Sequence, residues 1–240
     1  MNKTLLLATL LAAFAAQGAQ AASVEAGDNA TIQPAGPRSG SNGLAFFNIE
    51  GDDNGAFASY GLARFDLTAM KAGFDATYGI GGWKVESIAL ELVQSNAGFT
   101  NSGGLTLYFT GIDNNSPLQS SGLMYGNFAS DFADASPILA GYFSEVATGT
   151  LDSYALYHAG QANSAGGNAL AADLLADNTV TLALVGSDPS VAATYAGYTN
   201  FTYAGPTLVV NVAAVPEPET YALLLAGLGL VGFAARRRDA

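Results

Sequence analysis

The sequence contains no cysteine, one histidine and little positive charge. Without cysteine, the chain has no disulfide, no thiol nucleophile and no Cys-ligated zinc or iron–sulfur site. The single histidine, His158, cannot build a His-rich metal site. No Gly-x-Ser-x-Gly elbow accompanies it to form a Ser-His-Asp triad. These absences predict that the protein has no catalytic residues and is not an enzyme.

Basic residues are scarce in the segment from Ala22 to Ala214, which holds 17 acidic residues and a net charge of −13. Such a surface repels phosphate backbones, so nucleic-acid binding is excluded as a function class. It also disfavours adsorption to anionic lipid. The charge suits solubility, cations or neutral glycans, and solubility is the simplest reading. The four basic residues are Arg38, Arg64, Lys71 and Lys84.

The N-terminus has the three parts of a secretory signal peptide. A basic Lys3 precedes an apolar run from residue 5 to residue 16, and the small residues Ala19 and Ala21 follow. The apolar run is short for a membrane span. Residues 1–21 are therefore predicted to be a signal peptide that signal peptidase cleaves after Ala21.

Residues 22–213 are predicted to form one all-β domain, an antiparallel, jelly-roll-like β-sandwich with one short helix. Short runs with alternating or continuous apolar residues are separated by Gly-, Asn- and Asp-rich turns, a pattern typical of this class. The clearest predicted strands cover residues 44–49, 60–67, 85–93, 105–110, 180–185 and 207–212.

Two stretches of this domain differ from the strand pattern. Residues 168–177 place three leucines at helical spacing behind Asn168, which predicts a short helix with Asn168 as its N-cap. Residues 68–82 contain several glycines and no apolar period, so they are predicted to be a loop leading to Trp83.

Candidate binding residues come from two residue types. Trp83, Tyr125 and Tyr198 are aromatics whose flat faces could stack against sugar rings, although most aromatics in a sandwich belong to its core. The oxygen-rich turn Asp52-Asp53-Asn54 could bind a structural calcium ion, because Ca²⁺ takes six to eight oxygen ligands. The alternative is a plain Asp/Asn/Gly turn, and no other cofactor is predicted.

The C-terminus combines a Pro-Glu-Pro sequence, an apolar run and a basic end. Pro216, Glu217 and Pro218 precede the apolar residues 221–235, which end in Arg236, Arg237 and Arg238. As a helix the run would span about 22 Å, short against a hydrocarbon core of about 30 Å. The arginines would hold the tail on the cytoplasmic side, and the prolines would keep the preceding chain extended. Residues 214–240 resemble the PEP-CTERM sorting signal of Gram-negative bacteria.

That resemblance implies a route for the protein. Its terminal transmembrane helix would hold the exported chain transiently in the inner membrane until the peptidase exosortase cuts at or near Pro216–Pro218. The mature protein would then lie at the cell surface or outside the cell, often in species that make exopolysaccharide. An ordinary single-span anchor is the alternative reading of the same residues.

A second resemblance concerns the mature domain. Residues 38–40, 46–51, 60–67 and 87–92 resemble the opening of exported β-sandwich domains of the DNRLRE type. Some of these domains are described as carbohydrate-binding modules, so the resemblance implies a sandwich fold and possible glycan binding. It assigns no ligand residue.

Three functions are compatible with the sequence. The first is a non-enzymatic surface or biofilm-matrix protein that binds exopolysaccharide. The second is a secreted polysaccharide hydrolase that uses two carboxylates, which the many acidic residues could supply. The third is a structural surface protein that associates with itself.

Overall fold

The computed structural model describes residues 18–96, 98–111, 117–215 and 225–228. They fall into two compact units, a larger one of residues 21–72 and 85–211 and a smaller one from residues 1–20, 73–84 and 212–240. Twelve strands lie in the described residues: β1 (Gln20–Glu25), β2 (Asp28–Gln33), β3 (Gly36–Pro37), β4 (Phe46–Glu50), β5 (Tyr60–Asp66), β6 (Trp83–Val93), β7 (Gly103–Thr110), β8 (Ser136–Phe143), β9 (Leu151–His158), β10 (Thr179–Gly186), β11 (Ala192–Ala196) and β12 (Thr207–Ala214).

The strands form a two-layer antiparallel sandwich, which confirms the predicted fold class. One layer is a six-stranded sheet in the order β3-β2-β5-β10-β7-β8. The other contains the four-stranded sheet β1-β12-β6-β9 and the pair β11-β4. An antiparallel bridge between Gln94 and Tyr195 continues β6 onto β11. The chain crosses between layers at most connections, as jelly-roll-like topologies do.

Side chains from both layers fill the core between them. Gly61 on β5 has no room for a side chain, because a Cβ there would lie 2.6 Å from the ring of Phe47 on β4. The rings of Phe143 on β8 and Tyr195 on β11 meet edge to face, with centroids 5.6 Å apart. Such close interdigitation is the normal packing of a sandwich core.

The predicted strands are all present, with end points shifted by one to two residues. The first predicted strand differs most at its start, because residues 44 and 45 belong to a short helix and the strand begins at Phe46. The strands β8 and β9 were not predicted, and each has only two buried residues, so neither contains the run of apolar residues that marks a deeply buried strand. Within the described part of residues 22–213, where the sequence predicts one helix, four α-helices occur: α1 (Ser41–Ala45), α2 (Thr68–Tyr78), α3 (Phe128–Asp131) and α4 (Ala165–Ala176).

Helix α4 confirms the predicted helix but begins three residues earlier. Its N-cap is Ser164, whose hydroxyl accepts a hydrogen bond from the Gly167 amide at 3.0 Å, so the assignment of Asn168 as N-cap is wrong. The sequence pattern did not predict this start because the first turn contains two glycines, and glycine is a poor helix former. They are required by close packing, since a Cβ on Gly166 would lie 2.5 Å from the Ser136 carbonyl oxygen.

Helix α2 replaces the loop predicted for residues 68–82. The buried side chains of Met70 and Phe74 lie four residues apart on one helical face. Asp66 supports the start of the helix, because its carboxylate accepts a hydrogen bond from the Thr68 amide at 2.9 Å. Hydrogen bonds from the Thr68 side chain and from its amide lower the pKa of Asp66. Burial of Met70 and Phe74 thus outweighs the low helix propensity of this glycine-containing segment.

The smaller unit is built around the turn that follows α2. The Tyr78 hydroxyl donates a hydrogen bond to the Gly18 carbonyl at 2.7 Å. The Gly82 carbonyl accepts one from the Val215 amide at 2.8 Å. This turn therefore binds one residue near the N-terminus, Gly18, and one near the C-terminus, Val215. Ile80, at the tip of the turn, is 94% exposed.

Most of the predicted sorting and targeting residues lie outside the described residues. These are the signal-peptide residues 1–17, Pro216, Glu217, Pro218, most of the apolar run and Arg236–Arg238. Residues 225–228 of the run are helical. Within the part of the chain that the structure describes, no helix has both the length and the apolarity needed to cross a membrane.

Candidate functional site

A cleft of about 460 Å³ lies over the two-stranded sheet of β4 and β11. On a strand, residues two apart point to the same face, so Asn48 and Glu50 of β4 both reach the cleft. Thr194 pairs with Asn48 across the sheet and Ala192 pairs with Glu50. The cleft is lined by Arg38, Asn48, Glu50, Asn54, Phe57, Asn96, Phe99, Thr100, Asn101, Ala192 and Thr194.

A hydrogen-bonded network forms the floor of the cleft. The Arg38 guanidinium donates to Asn48 Oδ1 at 2.9 Å. The Asn48 amide nitrogen donates to Thr194 Oγ1 at 2.9 Å and to Glu50 Oε1 at 3.3 Å. Asn48 therefore links a cation and an anion through one amide group, which fixes the orientation of both side chains.

The environment of Glu50 differs from that of an exposed carboxyl. Burial raises its pKa, while the positive charge of Arg38 and the hydrogen bond from Asn48 act in the opposite direction. The net effect is a pKa above the ordinary value of a glutamate. The carboxyl is thus a hydrogen-bonding group whose charge is balanced locally rather than by bulk water.

Two exposed phenylalanines line the same cleft. Phe57 is 66% exposed and Phe99 is 83% exposed. A phenylalanine costs free energy when its ring remains in water, so two of them around a polar cleft are available to a ligand. The lining also contains the buried hydroxyl oxygen of Thr100, which has no hydrogen-bond partner among the described residues.

The loop that carries Asn54 and Phe57 is held in place by the chain before β11. The Gly51 amide donates to the Val191 carbonyl at 2.9 Å, and the Asn54 side chain donates to the same carbonyl at 2.9 Å. Asn101, on the opposite side of the cleft, donates to the Ser190 carbonyl at 2.8 Å. Residues 190–191 therefore brace both walls of the cleft.

Beneath the cleft, next to Thr194, lies a buried tyrosine network. The hydroxyl oxygens of Tyr154 and Tyr195 are 2.9 Å apart, and Tyr195 donates to Asp152 Oδ2 at 2.9 Å. Gln94 donates to the same carboxylate oxygen at 2.9 Å. Burial raises the pKa of Tyr154 to about 12 and raises that of Tyr195 as well.

This network predicts a loss of stability at alkaline pH. Both folded-state pKa values lie above those of unfolded tyrosine, so the stabilisation is complete below pH 10 and is lost as the pH rises towards 12. We expect this pair to contribute a fall of about 2 kcal/mol per pH unit above that point in the free energy of unfolding, to which Tyr60 and Tyr125 add because their pKa values are also raised by burial. Urea unfolding at several pH values measures the slope, and Tyr154→Phe should reduce it by about 1 kcal/mol per pH unit. Equal unfolding free energies at pH 8 and pH 11 (roughly one unit above the ordinary tyrosine pKa) would contradict it.

None of the three aromatics predicted for stacking is among the described residues that line this cleft. Trp83 is 7% exposed, and its indole N–H donates to Asp75 Oδ1 at 2.8 Å. Tyr198 is half-buried, and its amide donates to Asn29 Oδ1 at 2.8 Å. The sequence-based prediction selected aromatic residues by type, whereas Phe57 and Phe99 are distinguished by their exposure. Their position inside loops rich in glycine and asparagine was the one sequence signal that could have identified them.

Tyr125 and Asp52, predicted for separate roles, are bonded to each other. The Tyr125 hydroxyl donates to Asp52 Oδ1 at 2.8 Å, and its ring stacks on Tyr60 with centroids 6.3 Å apart. Asp53 is exposed, and the Asn54 amide nitrogen is bonded to backbone carbonyls. No group of three His, Cys, Asp or Glu side chains suited to a metal occurs among the described residues. Calcium binding at this turn stays a prediction.

His158 lies at the end of β9 in an exposed turn. Its ring Nδ1 is 2.9 Å from the Ala159 carbonyl oxygen, and its amide donates to Asn163 Oδ1 at 2.9 Å. Ala19 and Ala21, the predicted cleavage residues, are exposed at the start of the described chain, and Ala21 is the second residue of β1.

Comparison with known proteins gives one structural and one sequence finding. The chain resembles a solved structure described as truncated AlyQ with CBM32 and alginate lyase domains, at 11% identity and a TM-score of 0.34. The alignment covers 83% of this chain and 35% of that one. None of the curated proteins compared matches the chain.

The sequence finding concerns the C-terminus. Residues 214–238 match the PEP-CTERM protein-sorting motif, which confirms the predicted resemblance. The motif implies recognition by exosortase, export and a membrane-anchored sorting step that precedes arrival at the surface. The chain therefore carries a PEP-CTERM sorting signal, which implies that exosortase sorts it to the surface.

Proposed function

We propose that this protein is a non-enzymatic, surface-sorted carbohydrate-binding protein whose cleft over β4 and β11 binds an extracellular polysaccharide. The observation that carries the proposal is the pairing of two exposed phenylalanines, Phe57 and Phe99, with a hydrogen-bonded polar floor. Sugar rings combine apolar C–H faces with hydroxyl groups, and this lining offers a partner for each.

The polar groups of the floor suit hydroxyl recognition. Arg38 supplies donors, Glu50 and Thr194 supply acceptors, and Asn48 holds all three side chains in one network. Preorganised donors and acceptors lower the entropy lost when a flexible glycan binds.

The lining supports binding rather than hydrolysis. Hydrolysis by paired carboxylates needs two of them about 5 to 10 Å apart. Glu50 is the single acidic residue among the described residues that line the cleft. The non-enzymatic function is therefore favoured over the hydrolase.

The sorting signal gives the proposal its setting. Signal peptidase would cleave after Ala21, the inner membrane would hold the chain transiently, and exosortase would then release the sandwich to the cell surface. A polysaccharide-binding cleft on such a protein would attach it to matrix material. Self-association would serve the same location, and sedimentation of the unliganded protein at several concentrations would reveal it.

Binding should depend on Phe99. We expect Phe99→Ala to weaken glycan binding about tenfold, because stacking of a ring on a sugar face contributes on the order of 1 kcal/mol beyond the buried area. Isothermal titration of the purified full chain with a panel of soluble polysaccharides measures the effect. Phe201→Ala is the matched control, since Phe201 is fully exposed and lies outside the cleft lining.

The outcomes of this experiment differ clearly. Equal losses for Phe99→Ala and Phe201→Ala would show that glycans bind without using the cleft. No binding to any polysaccharide at high protein concentration would refute the proposed function. Release of reducing sugar ends by the purified protein would favour the hydrolase.

A further inference from the structure

The geometry points to a neutral glycan, rather than a uronate-bearing or otherwise anionic one, as the ligand class of the cleft; this inference rests on the proposed function. The charges of the lining cancel, because it contains one cation, Arg38, and one anion, Glu50, among its described residues. The remaining polar side chains are neutral amides and hydroxyls: Asn48, Asn54, Asn96, Thr100, Asn101 and Thr194.

Arg38 is poorly placed to bind an anion. One of its guanidinium nitrogens already donates to Asn48, and the same Asn48 amide group bonds Glu50. A carboxylate ligand would gain from Arg38 but would be repelled by Glu50 at nearly the same place. Recognition of a carboxylate normally uses an arginine that is free to make two parallel hydrogen bonds.

The charge of the whole domain acts in the same direction. Residues 22–214 carry a net charge of −13, and the three other basic residues of this segment do not line the cleft. Lys71, for example, is bonded to the carbonyl oxygens at the end of α4. An anionic polymer would thus meet a repulsive surface around a cleft with no excess positive charge.

A neutral glycan avoids both penalties. Its hydroxyls can donate to Glu50 and accept from Arg38 without changing the balance between them. Phe57 and Phe99 then cover the apolar face of the ring.

The test compares two ligand classes with two charge variants of the full chain. The neutral probes are dextran, laminarin and galactomannan, and the anionic probe is polygalacturonate. We expect the wild type to bind at least one neutral glycan about tenfold more tightly than polygalacturonate at moderate salt. That affinity should change less than about twofold when the salt is raised to roughly 0.5 M, because no net charge is neutralised.

Glu50→Gln tests the charge balance directly. It keeps a side-chain oxygen for the Asn48 amide and leaves Arg38 uncompensated, so the affinity for polygalacturonate should rise about tenfold relative to the affinity for the neutral glycan. Glu145→Gln is the matched control: it makes the same change in net charge at an exposed residue outside the lining.

The results separate this inference from the proposed function. Tighter wild-type binding to polygalacturonate than to every neutral glycan, still weakened by Phe99→Ala, would overturn the ligand class and leave glycan binding in place. An equal gain for Glu145→Gln and Glu50→Gln would overturn the local charge balance. Absence of binding to both classes would overturn both proposals.

Discussion

Tyr195→Ala is expected to lower the free energy of unfolding by about 4 kcal/mol, the cost of removing a large aromatic side chain from a packed core. Tyr195 is fully buried, and its ring meets Phe143 edge to face. The substitution also removes the donor to Asp152 and the hydroxyl beside Tyr154, so two buried polar groups lose a partner. Urea unfolding monitored by circular dichroism measures the loss.

Two variants define what the Tyr195 effect means. Tyr195→Phe keeps the ring and should cost about 1 to 2 kcal/mol through the lost hydrogen bonds alone. Tyr142→Ala is the matched control, because Tyr142 is 62% exposed and should change the unfolding free energy by less than about 0.5 kcal/mol. A Tyr195→Ala loss no larger than that of Tyr142→Ala would contradict the described core.

Gly51→Ala is expected to cost about 3 kcal/mol and to weaken glycan binding at least about tenfold. A Cβ on Gly51 would lie 2.2 Å from the Asp188 carbonyl oxygen and 2.5 Å from that of Pro189. Since both neighbours are backbone atoms, the loop must move away and lose its bond to Val191. That movement displaces Phe57 and Asn54 from the cleft.

The matched control for Gly51 is Gly126→Ala. Gly126 has open space where a Cβ would be placed, so its substitution should change the unfolding free energy by less than about 0.5 kcal/mol and leave binding unchanged. Chemical denaturation and calorimetric titration with the glycan bound by the wild type measure both effects. Wild-type binding by Gly51→Ala would show that the loop does not shape the cleft.

The fold could be predicted largely because strands leave a local signature. In β7, buried and partly exposed residues alternate along most of its length, and in β10 five consecutive residues are buried, so a few neighbouring residues are enough to indicate a strand in both cases. The missed helix α2 has no such signature, because its stability comes from burying Met70 and Phe74. Only the packed structure reveals that gain.

The cleft was beyond sequence reasoning for a different reason. Arg38, Asn48, Phe99 and Thr194 are far apart in the chain and come together through the pairing of β4 with β11. Burial determines which aromatic residues can contact a ligand. Trp83 is the stronger stacking residue by type, but its side chain is buried, whereas that of Phe99 is exposed. Residue type is local information, and exposure is not.

The two predicted cleavages would affect the fold differently, because the turn after α2 binds both Gly18 and Val215. A cut after Ala21 removes Gly18, the acceptor of the Tyr78 hydroxyl, and shortens β1 from six residues to four at the edge of its sheet. A cut at Pro216–Pro218 leaves β12 and the bond from Val215 to Gly82 intact. Cleavage after Ala21 would therefore trim a strand, and a trimmed edge would leave backbone groups open to pairing with another chain.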